Sequence, residues 1–276
     1  MSPRESSSGE LKIYRRTILL ALVAVCVLSA TQGFAQTTPA PSRSVAVDAH
    51  ASFTVATIKP HDPASQHQGW EAAGDRVGMF DTSVEQLIVF AYSVNRRQIV
   101  DAPAWVGEDR YDIDGKSDTD AEPTLPQQQE MIRHLLSDRF GLKFHREQRE
   151  LSVYAVQIAK GGAKLAAAAN PSAPAQEHSN GHGFETTQTY TNASIGYFIL
   201  VRQIFADRPL VDRTGLTGRY DFKLNYSYNE TGSAPGPNAP PGLFTAVQEQ
   251  LGLKFQPTKA SVEVFVLDHV DRPSEN

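Results

Sequence analysis

Cysteine is almost absent from this sequence: Cys26 stands alone among 276 residues. One thiol excludes a disulfide framework and a cysteine-rich zinc site. Positive charge is not in excess either. Lys and Arg total 26 against 31 Asp and Glu, a net charge of −5. No basic surplus is available to hold a phosphate backbone, which excludes nucleic acid as a partner class. No apolar stretch is long enough to cross a bilayer. The apolar run at residues 18–30 has 13 residues, whereas a span needs about 20. Catalytic signatures are missing too. There is no G-x-S-x-G nucleophile elbow, no phosphate loop ending in Lys-Ser/Thr, and no HExxH zinc motif. No cofactor or structural metal is expected.

What is present begins with a leader. Residues 1–16 are polar and end in Lys12, Arg15 and Arg16; the apolar run follows, and Gly33-Phe34-Ala35 supplies a small-x-small cleavage pattern. These are the three regions of a secretory signal. Cleavage after Ala35 is expected, giving a periplasmic or secreted protein with no stable membrane span. Tyr14-Arg15-Arg16 matches part of a twin-arginine signal. Cys26 follows Val25, not a small residue, so it is not read as a lipidation site. Its loss with the leader leaves a thiol-free mature chain, which suits an oxidising compartment and excludes cysteine nucleophiles.

After the leader (1–35), residues 36–51 read as a flexible linker, 52–160 as a first α+β repeat, and 161–183 as a low-complexity linker. Residues 184–276 read as a second α+β repeat carrying a Pro/Gly-rich loop at 229–242. The repeats rest on landmarks in one order at an offset near 111 residues. Helix VEQLIVFAY (84–92) matches IGYFILVRQIF (195–205). Arg110-Tyr111-Asp112 matches Arg219-Tyr220-Asp221. A helix ending at Gly141-Leu142-Lys143-Phe144 matches one ending at Gly252-Leu253-Lys254-Phe255, and VYAVQIA (153–159) matches VEVFVLD (262–268). Such self-similarity predicts an internal duplication. The expected fold class is α+β: helix-strand-strand-helix-hairpin units, with helices on one face of a mainly antiparallel sheet. FTVATIK (53–59) alternates as an additional strand.

Taken together, FTVATIKP (53–60), LIVFAYSV (87–94), RYDIDGK (110–116), MIRHLLSDRFGLKFHRE (131–147), RPLVDRTGLTGRYDF (208–222) and VEVFVLDHVDRPSEN (262–276) carry a resemblance. The chain resembles an uncharacterised family of exported soil-bacterial proteins. The resemblance implies export, and similar domains are attached to membrane metallopeptidase sensors of the β-lactam-sensor type. It implies no activity.

Chemistry-bearing residues fall into four groups. Asp101 and Asp212 occupy equivalent places, as do Asp112 and Asp221; paired carboxylates perform acid–base hydrolysis when their environments split their pKa values, but a duplication creates such pairs automatically. His145, beside Glu147, has the chemistry of a general base without a nucleophile to serve. His178 and His182 have a metal-binding spacing only if helical, and they lie in a Gly/Ser/Asn tract. The segment Asp212–Tyr220 is rich in turn residues. Trp105, in the equivalent stretch of the first repeat, is a large aromatic of the kind that anchors ligands. The sequence is therefore read as a non-enzymatic exported binding module. Trp105, His145, Asp212, Thr214 and Tyr220 are its candidate contacts, and a protein, peptide or small molecule of the envelope is its partner. The alternative is an envelope or extracellular hydrolase using Asp and His.

Overall fold

The computed structural model describes residues 51–118, 121–182, 185–227 and 240–273. The leader, nearly all of the 36–51 linker and most of the 229–242 loop lie outside them. All described residues belong to one compact unit. None of its helices is long and apolar enough to cross a membrane.

The chain opens with strand β1 (Phe53–Pro60) and a hairpin of β2 (Gly69–Ala73) and β3 (Arg76–Thr82). Helix α1 (Val84–Tyr92) follows, then a single 3₁₀ turn at Arg96–Gln98 and the short strand β4 (Ile99–Val100). A one-turn helix α2 (Trp105–Glu108), strand β5 (Tyr111–Ser117), helix α3 (Leu125–Phe140) and the long strand β6 (Lys143–Ile158) complete the first half. Next come β7 (Ala166–Ala167), β8 (Gln176–His182), β9 (Glu185–Ala193), α4 (Ile195–Gln203), β10 (Leu210–Asp212), β11 (Tyr220–Ser227), α5 (Leu243–Leu251) and β12 (Leu253–His269). The fold is mixed α+β with mainly antiparallel sheets.

Local sequence accounts for the helices. Ser83 caps α1: its Oγ accepts from the Gln86 N–H at 3.2 Å, and the Gln86 carboxamide accepts from the Ser83 N–H at 2.9 Å. This capping box satisfies two donors that the first turn leaves open. Val84, Leu87, Ile88 and Ala91 then form one buried stripe, the i, i+3, i+4, i+7 spacing of a core-facing helix. Ser194 caps α4 by accepting from the Tyr197 N–H at 3.1 Å. Helices α3 and α5 both end at a left-handed glycine, Gly141 (φ 58°) and Gly252 (φ 64°), a conformation that costs an L-residue.

Among the described residues, three four-stranded sheets result, in the orders β1-β5-β3-β2, β10-β6-β12-β4 and β7-β11-β9-β8. The middle sheet is built on a long antiparallel ribbon of β6 and β12, paired from Leu253↔Ile158 to His269↔Lys143. Short β4 and β10 add in parallel towards opposite ends of it, with Ile99 opposite Phe265 and Leu210 opposite Tyr154. One apolar core, with Leu87, Ile88, Ile113, Met131, Leu136 and Phe140, lies between α1, α3 and the first sheet. A second, with Tyr190, Phe198, Leu224, Tyr226, Val247 and Leu251, lies between α4, α5 and the third.

Three expectations need correction. The hairpin expected at the end of each half is instead one unbroken strand, whose partner comes from the other half. His145–Ser152 (HREQRELS) contains no Gly, Pro, Asn or Asp to turn the chain. Pro257 in β12 is tolerated because β4 covers only Phe265 and Val266, which leaves the outer edge at Pro257 unpaired by that strand. Secondly, the 161–183 stretch read as a linker contains β7 and β8. β8 pairs with β9 from Gln176↔Thr191 to His182↔Glu185 while His178, Ser179 and Asn180 remain exposed. It is held by backbone hydrogen bonds, which a count of apolar side chains does not register. Thirdly, the stretch of Trp105, matched in sequence to the turn-rich Asp212–Tyr220, contains a short helix.

Candidate functional site

The Arg-Tyr-Asp landmarks serve the backbone. Asp81, at the end of β3, and Asn192, at the end of β9, are both left-handed, with φ of 51° and 52°. Asp112 Oδ1 accepts from the Asp81 N–H at 3.0 Å, and Asp221 Oδ1 accepts from the Asn192 N–H at 2.7 Å. Arg110 and Arg219 donate to the Asp81 and Asn192 carbonyls at 3.3 and 3.1 Å. Each Arg-Tyr-Asp thus pins the strained corner that feeds the next helix. The N–H groups of Asn192 and then Ala169 hold the Asp221 carboxyl below its ordinary range. Asp112 also meets His61 at 2.7 Å.

The remaining sequence candidates are placed as follows. Asp212 Oδ1 accepts from both the N–H and the hydroxyl of Thr214 at 2.8 Å, and Thr214 Oγ1 accepts from the Leu216 N–H at 3.1 Å. This is a self-contained turn between β10 and β11. Tyr220 packs against the second core. Trp105 packs against the first, with the Arg272 guanidinium 4.9 Å from its ring centre. His145 is exposed on β6, 2.8 Å from Asp268 and 3.2 Å from Glu147. Hydrogen bonds to Glu147, then Asp268, push its pKa up. Glu147 in turn accepts from Arg149 at 2.8 Å, and Arg149 reaches Asp101 at 3.3 Å. His145 and Asp101 therefore belong to one chain of surface charges on the ribbon. His178 and His182 lie on an extended strand, where positions four apart are separated by about 13 Å. Among the described residues no group of three His, Cys, Asp or Glu side chains is placed to hold a metal ion.

Two cavities stand out. One, of about 440 Å³, is walled by Ile58, Pro60, Tyr111 and Pro273 with Asp109, Arg110 and Arg272. Its charges are paired: Arg272 meets Asp109 at 2.7 Å, and Arg110 meets Asp81 at 3.5 Å while also donating to the Gln86 carboxamide at 2.6 Å. The other, of about 240 Å³, is walled by the rings of Tyr154, Phe205, Phe244 and Phe255, with Arg202 and Asp207 among its polar residues. None of the five sequence-derived contact residues lines either cavity.

The smaller cavity is bordered by Arg202, the residue with the most unusual surroundings. Arg202 is only 2% exposed. Its Nη1 donates at 2.8 Å to both the Gln188 carboxamide oxygen and the Tyr226 hydroxyl oxygen. Its Nε and Nη2 are enclosed without a hydrogen-bond partner, and so is Oε1 of Glu177. Burial pushes the Glu177 carboxyl above its ordinary range, against opposing pulls from Gln188 and Arg202. Burial raises the Tyr190 phenol as well, against the pull of the Arg202 guanidinium close beside its hydroxyl. The wall at residues 203–207 is fixed from the first half of the chain. Asn95, fully buried, donates to the Gln203 and Ala206 carbonyls at 2.9 and 2.7 Å, and Arg97 Nε donates to the Asp207 carbonyl at 2.5 Å.

Sequence reasoning passed over Arg202, Phe205 and Phe244. A signal for the arginine was available. Ile195, Phe198, Ile199 and Arg202 are the buried residues of α4, so a charged residue completes an i, i+3, i+4, i+7 core stripe where an apolar one belongs.

Residues 85–270 match the family described as protein of unknown function (DUF3738). The chain belongs to that family. The match begins inside α1, ends just past β12, and takes in every residue of the aromatic cavity. No curated protein matches the chain, and no solved structure does either.

Proposed function

We propose that this DUF3738 member is an exported, non-enzymatic binding module, built by internal duplication of one α+β unit, whose ligand occupies the aromatic cavity beside Arg202. The leader pattern and the absence of cysteine after it support export. Duplication is supported by residue-level equivalence at offsets of about 111. Ile99↔Phe265 and Leu210↔Tyr154 are the same pairing in the two halves. Asp81 and Asn192, Asp112 and Asp221, Gly141 and Gly252 likewise share conformation and partners.

The duplication also highlights where the halves differ. In the first half the Tyr92 ring packs 5.0 Å from Phe144 and 5.3 Å from Phe265, filling the space over the ribbon. The second half keeps the two ribbon aromatics, as Phe255 and Tyr154, but has Gln203 at the place of Tyr92 and Arg202 at the place of Ala91. There Phe244 supplies the ring over the ribbon, 5.1 Å from Tyr154 and 5.3 Å from Phe255, and the cavity lies beside it. The observation that carries the reading is the buried arginine in that cavity with two unfilled donors, since buried donors are almost always paired. The hydrolase alternative loses its carboxylates to turns, strained corners and ion pairs.

Toluene, a small neutral apolar probe, tests the site. Titration followed by backbone amide chemical shifts is expected to give saturable changes clustered at residues 205–210 and 243–255. Ala206→Trp, which fills the cavity, is expected to abolish them. Absent or scattered changes contradict this placement. Turnover of a glycan, peptide or ester that is abolished by Asp112→Asn or His145→Ala contradicts the non-enzymatic reading.

A further inference from the structure

The two unfilled donors of Arg202 are not independent. Nε–H and the outward Nη2–H lie along one edge of the planar guanidinium, parallel and spaced to match the two oxygens of a carboxylate. The opposite side of the fork is already fixed, because Nη1 is held by Gln188 and Tyr226 at 2.8 Å each. The ring centres of Tyr226 and Phe205 lie 5.1 and 5.7 Å from Cζ, so the group is positioned before any ligand arrives. Pre-positioning of this kind lowers the ordering cost of binding. We propose that the cavity takes a monocarboxylate with a compact apolar body, its two oxygens on Nε and Nη2 of Arg202 and its body among the aromatic walls. This rests on the assignment of the ligand site to this cavity.

Three features narrow the ligand class. The cavity, at about 240 Å³, is below the size of a drug-sized site, which limits the ligand to roughly one ring and a short chain. Its walls are rings, and the two most exposed, Phe205 at 59% and Phe244 at 48%, mark the open side. Because Nε and Nη2 are enclosed in the free protein, binding includes a side-chain movement that opens this edge to the cavity. A second negative charge on the ligand is disfavoured. Asp207 is in the lining, with Oδ2 3.5 Å from the Tyr154 hydroxyl and 3.3 Å from Arg208 Nε, and the Glu177 carboxyl already lies in the field of Arg202. A monoanion fits between these acids better than a phosphate dianion. The carboxylate can come from a free small acid or from the C-terminus of a peptide ending in an aromatic residue.

Calorimetric titration of the full chain distinguishes these outcomes with defined probes: 3-phenylpropionate, its uncharged amide, phenyl phosphate, and the tripeptide Gly-Gly-Phe with a free or amidated C-terminus. The acid is expected to bind at least tenfold more tightly than its amide. Arg202→Met is expected to bring the acid down to the level of the amide without weakening the amide, and Arg202→Lys to restore part of the difference. Because the acid-to-amide ratio is read on the unaltered protein, the test survives a variant that does not fold. Tighter binding of free Gly-Gly-Phe than of 3-phenylpropionate identifies a peptide terminus as the source; the reverse order identifies a free acid. Equal affinity of acid and amide, or tighter binding of phenyl phosphate, overturns the carboxylate assignment. Failure of all these probes while toluene binds overturns it too and leaves the cavity reading standing. Failure of toluene as well removes both.

Discussion

At the residue scale, the chain contrasts charges that cost little with one that costs much. Asp268, His145, Glu147, Arg149 and Asp101 form a run of ion pairs in water, where each link is weak and salt-screened. Arg202 is enclosed, and burial of a guanidinium with idle donors is expensive unless something fills them. The exposed run makes its own prediction. Hydrogen bonds to Glu147 and Asp268 raise the His145 pKa, so in an NMR titration its ring should lose its proton above the ordinary value of about 6.5. Glu147→Gln should bring the midpoint back down. The sign for stability follows by linkage: the contribution is fully present below the unfolded value and disappears as pH rises through the raised folded value. A midpoint unmoved by Glu147→Gln would remove the hydrogen bond from the account.

At the element scale, the two helix-ending glycines look alike in sequence and differ in surroundings. Both are left-handed, so replacement by alanine costs each about 1–2 kcal/mol of backbone strain. A Cβ on Gly141 meets only His269 and Asp271 side-chain atoms at 3.5 Å, an ordinary contact, whereas one on Gly252 overlaps the Gly162 carbonyl. Gly252→Ala should therefore cost roughly 1–3 kcal/mol more than Gly141→Ala, measured by urea denaturation. Equal losses would show that the 159–164 chain gives way freely. Much at this scale was legible in the sequence. The stripes of α1, α3, α4 and α5 and the strands β5 and β11 carry periods that report burial directly, whereas in β1 a bulge between Phe53 and Val55 leaves Val55 exposed against its alternation. The strands β2, β3, β8 and β9 were missed because Gly breaks β2, β3 and β8, Thr and Asn dominate β9, and much of their hold is backbone pairing. The continuity of β6 was legible only as missing turn chemistry. Of the candidate site, the sequence pointed to turns and exposed charges. The cavity escaped because it is made of what two halves place together, apart from the arginine in an otherwise apolar stripe.

At the scale of the whole molecule, the halves depend on each other. The β6–β12 ribbon takes one strand from each half, β4 and β10 each add to the other half's long strand, and Asn95 reaches across to residues 203 and 206. Residues 52–160 alone would leave β6 without a partner and β4 without a sheet, so this fragment should not yield a folded monomer, as circular dichroism and light scattering would report. A stable folded monomer would contradict the shared ribbon. Asn95→Ala, which takes the side-chain donor from the Ala206 carbonyl and one of two donors from the Gln203 carbonyl, should lower the stability of the full chain by about 1–3 kcal/mol and weaken toluene binding, because Asn95 fixes the cavity wall. The central claim concerns the free edge of Arg202, and the Nε–H resonance of that residue reports on it directly. Under titration with 3-phenylpropionate, that resonance should move downfield in a saturable way as a charge-assisted hydrogen bond forms, and should stay in place with the amide. A resonance that does not move when the acid is bound, or that is already at the hydrogen-bonded position in the free protein, would contradict the account.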